Sequence, residues 1–181
     1  MKPNICHTSL TAIAAVLLLF ASSQAVSQDE PMEEDSKLQI EFVKPSSFTD
    51  IRPSNQSRSK YQKHVFESLS SYFNELSRTL PEGQILDVKV TNIDLAGDTN
   101  SPRIPLSSMM SDVRVMEDIY FPRLEFTYTL KNQAGEVLKT EEVDLKDMSY
   151  LNRAGFVRSS RDAFPYEHSM LIEWFQDTFE N

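Results

Sequence analysis

Cysteine is almost missing from this chain of 181 residues: the single one is Cys6. It stands before an apolar run, whereas a bacterial lipid-anchor site needs a cysteine directly after one. Once a leader containing Cys6 is removed, the sequence offers no disulfide, no thiolate nucleophile and no cysteine metal site. Glycine is also scarce, with four in all. Gly83, Gly97, Gly135 and Gly155 lie too far apart for a nucleotide-binding loop or a Gly-x-Ser-x-Gly nucleophile elbow. Beyond the leader there are two histidines, His64 and His168, and neither belongs to a His-Glu-x-x-His pattern, so a three-histidine zinc site is excluded. Each reads as a solvated or hydrogen-bonded surface histidine, not a catalyst. No catalytic residue, no metal site and no cofactor is expected.

Positive charge is in deficit, with 18 Lys plus Arg against 27 Asp plus Glu and a net charge of −9. The balance becomes one unit more negative if Lys2 departs with a leader. Such a field opposes phosphate backbones and anionic lipid surfaces, so nucleic acid is not an expected partner. Part of the charge sits in Gln28–Ser36, whose carboxylates and lack of apolar pattern mark a solvated spacer.

What is present begins at the N-terminus. The apolar run Thr11–Ala21 is followed by Ser23-Gln24-Ala25, with small residues at the −3 and −1 positions of a cleavage site between Ala25 and Val26. The run is shorter than the roughly 20 residues a membrane-spanning helix needs, which favours a cleaved signal peptide over a stable anchor. The organisation expected is a signal peptide over 1–25, an acidic flexible lead over 26–37 and a single domain over 38–181, exported to the periplasm.

From Leu38 the hydrophobic period carries the fold. Leu38, Ile40 and Phe42 alternate with polar residues, as in a strand with one wet face, and Pro45 ends it. Tyr61, Val65, Phe66, Leu69, Tyr72, Phe73, Leu76 and Leu80 recur at spacings of three and four, a helical stripe of about six turns. Ser57 or Ser59 can cap it, and Pro81-Glu82-Gly83 stops it. Ile85–Leu95 alternates again. The stretch from Ala96 to Tyr120 is long for a loop in a compact domain, so it carries function or conceals a short strand at Val113–Val115. Leu124, Phe126, Tyr128 and Leu130 define a third strand, Asn132–Gly135 a turn, and Val137–Leu145 a more polar fourth strand. Tyr166, Met170, Leu171, Trp174, Phe175 and Phe179 form a second helix with Pro165 in its first turn.

The order strand-helix-strand-strand-strand-helix, with one apolar face per element, predicts an α+β fold: a two-layer, mixed four-stranded sheet with both helices on one face. The first helix should link strands one and two in parallel by a right-handed crossover, with later pairings antiparallel.

Two groups of polar residues remain as candidates. The irregular segment Lys146–Phe164 carries Arg153, Arg158 and Arg161 interleaved with Tyr150 and Phe156, a locally basic stretch suited to an anionic ligand or to internal ion pairing. A ligand site is expected where it meets the loops at Asp50-Ile51-Arg52 and Gly97-Asp98. Asp94, Asp98, Asp112 and Asp118 bracket the long loop. With Asp50 they read as turn-forming aspartates or as an acid/base set, and they match no calcium loop.

Several blocks then point in one direction. Phe48-Thr-Asp-Ile-Arg-Pro-Ser-Asn, Leu80-Pro-Glu-Gly-Gln, Val90-Thr-Asn-Ile-Asp-Leu-Ala-Gly-Asp98, Asp118-Ile-Tyr-Phe-Pro-Arg-Leu, Asp144-Leu-Lys-Asp-Met and Tyr166-Glu-His-Ser-Met-Leu-Ile-Glu-Trp-Phe occur in this order. Together they resemble the bacterial domain-of-unknown-function family 3016 over about Leu38 to Phe179. The resemblance implies an exported protein of Gram-negative bacteria and transfers no catalytic residue. The expected function is a non-enzymatic module that binds a protein or cell-envelope component. The alternative is a small carboxylate-dependent hydrolase using Asp50, Asp94 and Asp98.

Overall fold

Alternation sets the sheet. The computed structural model describes residues 37–53, 56–102, 104, 113–153 and 162–180, all within one compact unit, Glu33–Asn181. The leader, the Ala25–Val26 junction and the acidic lead before Lys37 lie outside the described residues. Strands β1 (Leu38–Phe42), β2 (Ile85–Asp94), β3 (Arg123–Lys131) and β4 (Val137–Lys146) form one sheet in the order β1-β2-β3-β4. β1 and β2 pair in parallel, with helix α1 (Arg58–Ser77) in the connection, and the other two pairings are antiparallel. Helix α2 (Pro165–Phe179) closes the order strand-helix-strand-strand-strand-helix, so the chain has the expected α+β fold.

Both helices cover the same face. Leu86, Val88 and Val90 of β2 are buried beside Leu124, Phe126, Tyr128 and Leu130 of β3. Phe126 meets Phe73 of α1 edge-on at 5.4 Å and Trp174 of α2 at 4.8 Å, which fixes both helices over one strand. Tyr128 adds a third edge-on contact to Trp174, and such pairs are each worth about 0.5–1.5 kcal/mol beyond the area they bury. The opposite face is polar and bears cross-strand pairs such as Arg123–Asp144 and Lys131–Asp87.

The turns follow local chemistry. Asn132 Oδ1 accepts from the backbone N–H groups of Ala134 and Glu136, and Gly135 takes φ 81°, closing the β3–β4 hairpin. At the start of α1, Ser57 occupies the cap position, but its hydroxyl pairs with Ser59 and makes no capping bond.

Strand β2 departs from simple alternation near its C-terminal end. Val90 pairs with Phe126 and Asn92 with Glu125, which leaves Thr91 as the extra residue of a β-bulge. The bulge reverses the parity of the strand: Ile93 is buried, and Asp94 is turned to the polar side opposite Arg123. Without it Asp94 would face the core. Asn92, freed at the bulge, accepts hydrogen bonds from the backbone and hydroxyl of Thr49 and so pins the segment after β1 to the end of β2.

Candidate functional site

The loops that follow the C-terminal ends of the parallel strands β1 and β2 run side by side. Asp50 N–H donates to Ile93 O at 3.1 Å and Leu95 N–H donates to Asp50 O at 3.3 Å, a bridge that sets Asp50 opposite Asp94. A second bridge joins Asp98 to Val115 through two bonds of 3.0 and 2.9 Å. The short extended piece at Val113–Val115 is thus a single bridge, and its consequence is to place Arg114.

Arg114 is the junction of the region. Its Nε donates to Ala96 O at 2.7 Å, and its Nη2 donates to Leu95 O at 3.1 Å, to Gly97 O at 2.6 Å and to the Asp50 carboxylate. The side chains of Arg114 and Asp50 are only 14% and 17% exposed, so this is a desolvated ion pair and not a solvent-screened surface contact. Nη1 of Arg114 is buried with no hydrogen-bond partner among the described residues. Gly97 permits the arrangement with φ 78°: a Cβ there would lie 2.7 Å from Met116 Sδ and 3.0 Å from Val115 O.

On one side of this junction lies a cleft of about 340 Å³. Asp50, Asp94, Asp98 and Arg52 contribute to its walls, with Tyr120 and Phe121 supplying aromatic surface. Burial pushes the Asp94 carboxyl above its ordinary value and the neighbouring Asp50 charge adds to the rise, opposed by Arg114 and Arg123. Asp50 Oδ1 accepts from Arg52 N–H at 3.2 Å, and Asp98 Oδ1 accepts from Asn100 N–H at 3.0 Å, so both carboxylates are also held by their own turns.

On the other side is a larger cavity of about 510 Å³, with Leu95 in the walls of both. Its wall includes Glu167 in the first turn of α2. This carboxyl is buried, accepts from Ala96 N–H at 2.7 Å, and is raised above its ordinary value chiefly by desolvation.

The structure places Asp50, Arg52, Asp94 and Asp98 in the wall of one cleft, to which no described residue of Lys146–Phe164, the segment expected to meet these loops, contributes. Tyr150 takes a different place. It is fully buried in a small second core with Ala96 and Tyr166, donates its hydroxyl to Glu117 O at 2.8 Å, and is not among the residues lining the cleft. Burial holds its phenol up to about 12. The side chain of Arg153, which ends the 3-10 turn Tyr150–Arg153, lies outside the described part of the chain, as do Arg158, Arg161 and Asp112, while Asp118 is exposed.

His64 is exposed on α1, with its ring 5.4 Å from that of Phe164. His168 is hydrogen-bonded, as one of the two expected readings has it, but more buried than expected: its side chain is 13% exposed, stacked on Tyr72 with ring centroids 4.1 Å apart, and Nδ1 lies 2.9 Å from Asp162. The stack explains the burial, since both helices present an aromatic ring at that crossing. Neither Arg114 nor Glu167 stands out in the sequence, because one looks like any loop cation and the other like an acid placed to suit a helix dipole. Among the described residues no cluster of three or more His, Cys, Asp or Glu is arranged to hold a metal ion. No described helix is long and apolar enough to cross a membrane.

A family model described as a protein of unknown function, DUF3016, matches residues 36–177. The chain belongs to that family. No curated protein and no solved structure matches it.

Proposed function

We propose that this is an exported, non-enzymatic binding module that holds a basic group of a protein or cell-envelope component in the cleft beside Arg114. The observation that carries this reading is the convergence of Asp50, Asp94 and Asp98 with Tyr120 and Phe121 on one small cleft. Asp50 is neutralised by Arg114, and Arg123, which also lines the cleft, is paired with Glu125 and Asp144; Asp94 and Asp98 against Arg52 then leave a net negative charge for an ammonium or guanidinium group, and the aromatic rings suit a cation's face contact. The chain's net charge of −9 steers a cationic partner toward it. Export rests on the leader ending at Ala25, and mass spectrometry of the periplasmic protein should find an N-terminus within a few residues of Val26.

Titration with a trilysine peptide, followed by backbone NMR, tests the binding reading. Saturable shifts should centre on Asp94, Asp98 and Tyr120, and Asp94→Asn with Asp98→Asn together should weaken binding at least about tenfold, equivalent to about 1.4 kcal/mol. Unchanged affinity in the double variant refutes the assignment.

One observation supports a second reading as a carboxylate-dependent hydrolase. Asp50 and Asp94 stand opposite each other in different surroundings, one paired with a buried arginine and the other pushed toward protonation, which is how enzymes separate a base from an acid. Turnover of nitrophenyl esters or glycosides that disappears in Asp94→Asn would select it over the binding module.

A further inference from the structure

The larger cavity lies outside the cleft and is unused by the function proposed above. It opens at the N-terminal ends of both helices, with Tyr61 from the first turn of α1 and Pro165, Tyr166 and Glu167 from the first turn of α2. Leu95, Met116 and Phe164 make the rest of its surface largely apolar. At about 510 Å³ it falls within the range of small-molecule sites.

We propose that this cavity binds a small apolar carboxylic acid, with the acyl or aromatic body against the apolar wall and the carboxylate directed at Arg114. The acidic cleft, on the opposite side of the same arginine, takes no part in it.

Three observations select an anion for the polar end. Arg114 is the only Lys or Arg among the described residues lining the cavity, and its Nη1 is buried without an acceptor in hydrogen-bond geometry, the Tyr61 hydroxyl being the group that lies near the guanidinium, so a ligand oxygen supplies a missing hydrogen bond. Helix α2 begins in the cavity wall with Pro165, Tyr166 and Glu167, and its cap residue Phe164 supplies no side-chain hydrogen bond, which leaves the positive end of a 15-residue helix facing this space. Burial raises both the Tyr61 phenol and the Glu167 carboxyl above their ordinary values, which lessens the negative charge an entering carboxylate meets, and one Glu167 oxygen already accepts from Ala96 N–H. Asp50, the carboxylate that Arg114 contacts directly, lies in the wall of the other cleft.

Met116, part of the apolar wall, gives a handle that leaves Arg114 and its partners intact. It lies in the cavity wall and is 41% exposed, so a charge placed there acts on the ligand with little cost to folding. The test is calorimetric titration of the purified protein with decanoate and with decanol, with NMR to locate the shifts. Decanoate should bind saturably with shifts at Leu95, Ala96, Met116 and Glu167, and decanol should bind about tenfold more weakly or worse, the loss expected for one charge-assisted hydrogen bond. Met116→Glu removes apolar wall for both ligands but sets a like charge near the carboxylate alone, so it should weaken decanoate by about threefold to tenfold more than it weakens decanol. Absence of saturable decanoate binding up to about millimolar concentration overturns the proposal, since that affinity is the least a filled pocket of this size should give. Equal affinity for acid and alcohol, or shifts confined to Asp98 and Tyr120, overturns it as well.

Discussion

Replacing Arg114 by methionine isolates the interaction that joins the three loops around the candidate site. The side chain keeps most of its apolar stem and loses the guanidinium, so what is tested is the charge and its hydrogen bonds, not bulk packing. Four acceptors lose their donor at once: the carbonyls of Leu95, Ala96 and Gly97, and the Asp50 carboxylate. Leu95 and Ala96 are 2% and 4% exposed, so little water reaches them to compensate. Removing one partner of a buried ion pair costs about 3–5 kcal/mol. A loss of about 4 kcal/mol is therefore expected, a large share of the roughly 5–15 kcal/mol that stabilises a domain. In urea, with a slope near 2 kcal/mol per molar, the midpoint should fall by about 2 M. Asp50→Asn in the Arg114→Met background should add little, because its partner is already gone, and the cycle should return a coupling of about 1–3 kcal/mol. A change below about 1 kcal/mol for Arg114→Met would refute the view that this buried pair organises the loops.

Leu69→Ala and Trp174→Ala, both in the core beneath the sheet, should each cost roughly 2–5 kcal/mol in chemical denaturation, and values under about 0.5 kcal/mol would place the core elsewhere. Gly97→Ala forces a side chain into left-handed backbone at φ 78° against Met116 and Val115, so its thermal midpoint should drop by an amount equivalent to at least about 1–2 kcal/mol. Glu167 gives a pH signature. Because burial raises its pKa in the folded state above the ordinary value of 4.5, its contribution is most favourable below that value and is lost as pH rises through the folded value. Glu167→Gln should consequently stabilise the protein near pH 7, with the advantage shrinking toward about pH 4, and denaturation at both pH values checks the sign.

The sequence by itself determined the elements and their layering. A period of two at Leu124–Leu130 and a period near 3.6 from Tyr61 to Leu76 each leave one apolar face, and two layers with both helices on one side bury those faces together. The parallel start and the antiparallel hairpin followed from connection length and the Asn132–Gly135 turn. The parallel pairing allowed the loops after β1 and β2 to converge, since parallel neighbours end at the same edge of the sheet, but did not demand that they form one site.

Only the tertiary structure decided the chemistry at that edge. Whether Asp94 faces the core or the cleft depends on a one-residue bulge at Thr91, and nothing in a local pattern of alternation distinguishes a bulge from a strand that simply ends. Arg114 became the junction because a single bridge at Val115 aims it at three carbonyls and Asp50, partners separated by up to 64 positions in the chain. Tyr150 and His168 turned inward for the same reason. Burial of a polar side chain is set by the partner that meets it, Glu117 O for one and Asp162 with the Tyr72 ring for the other, and such partners are assembled by the fold and not by sequence spacing.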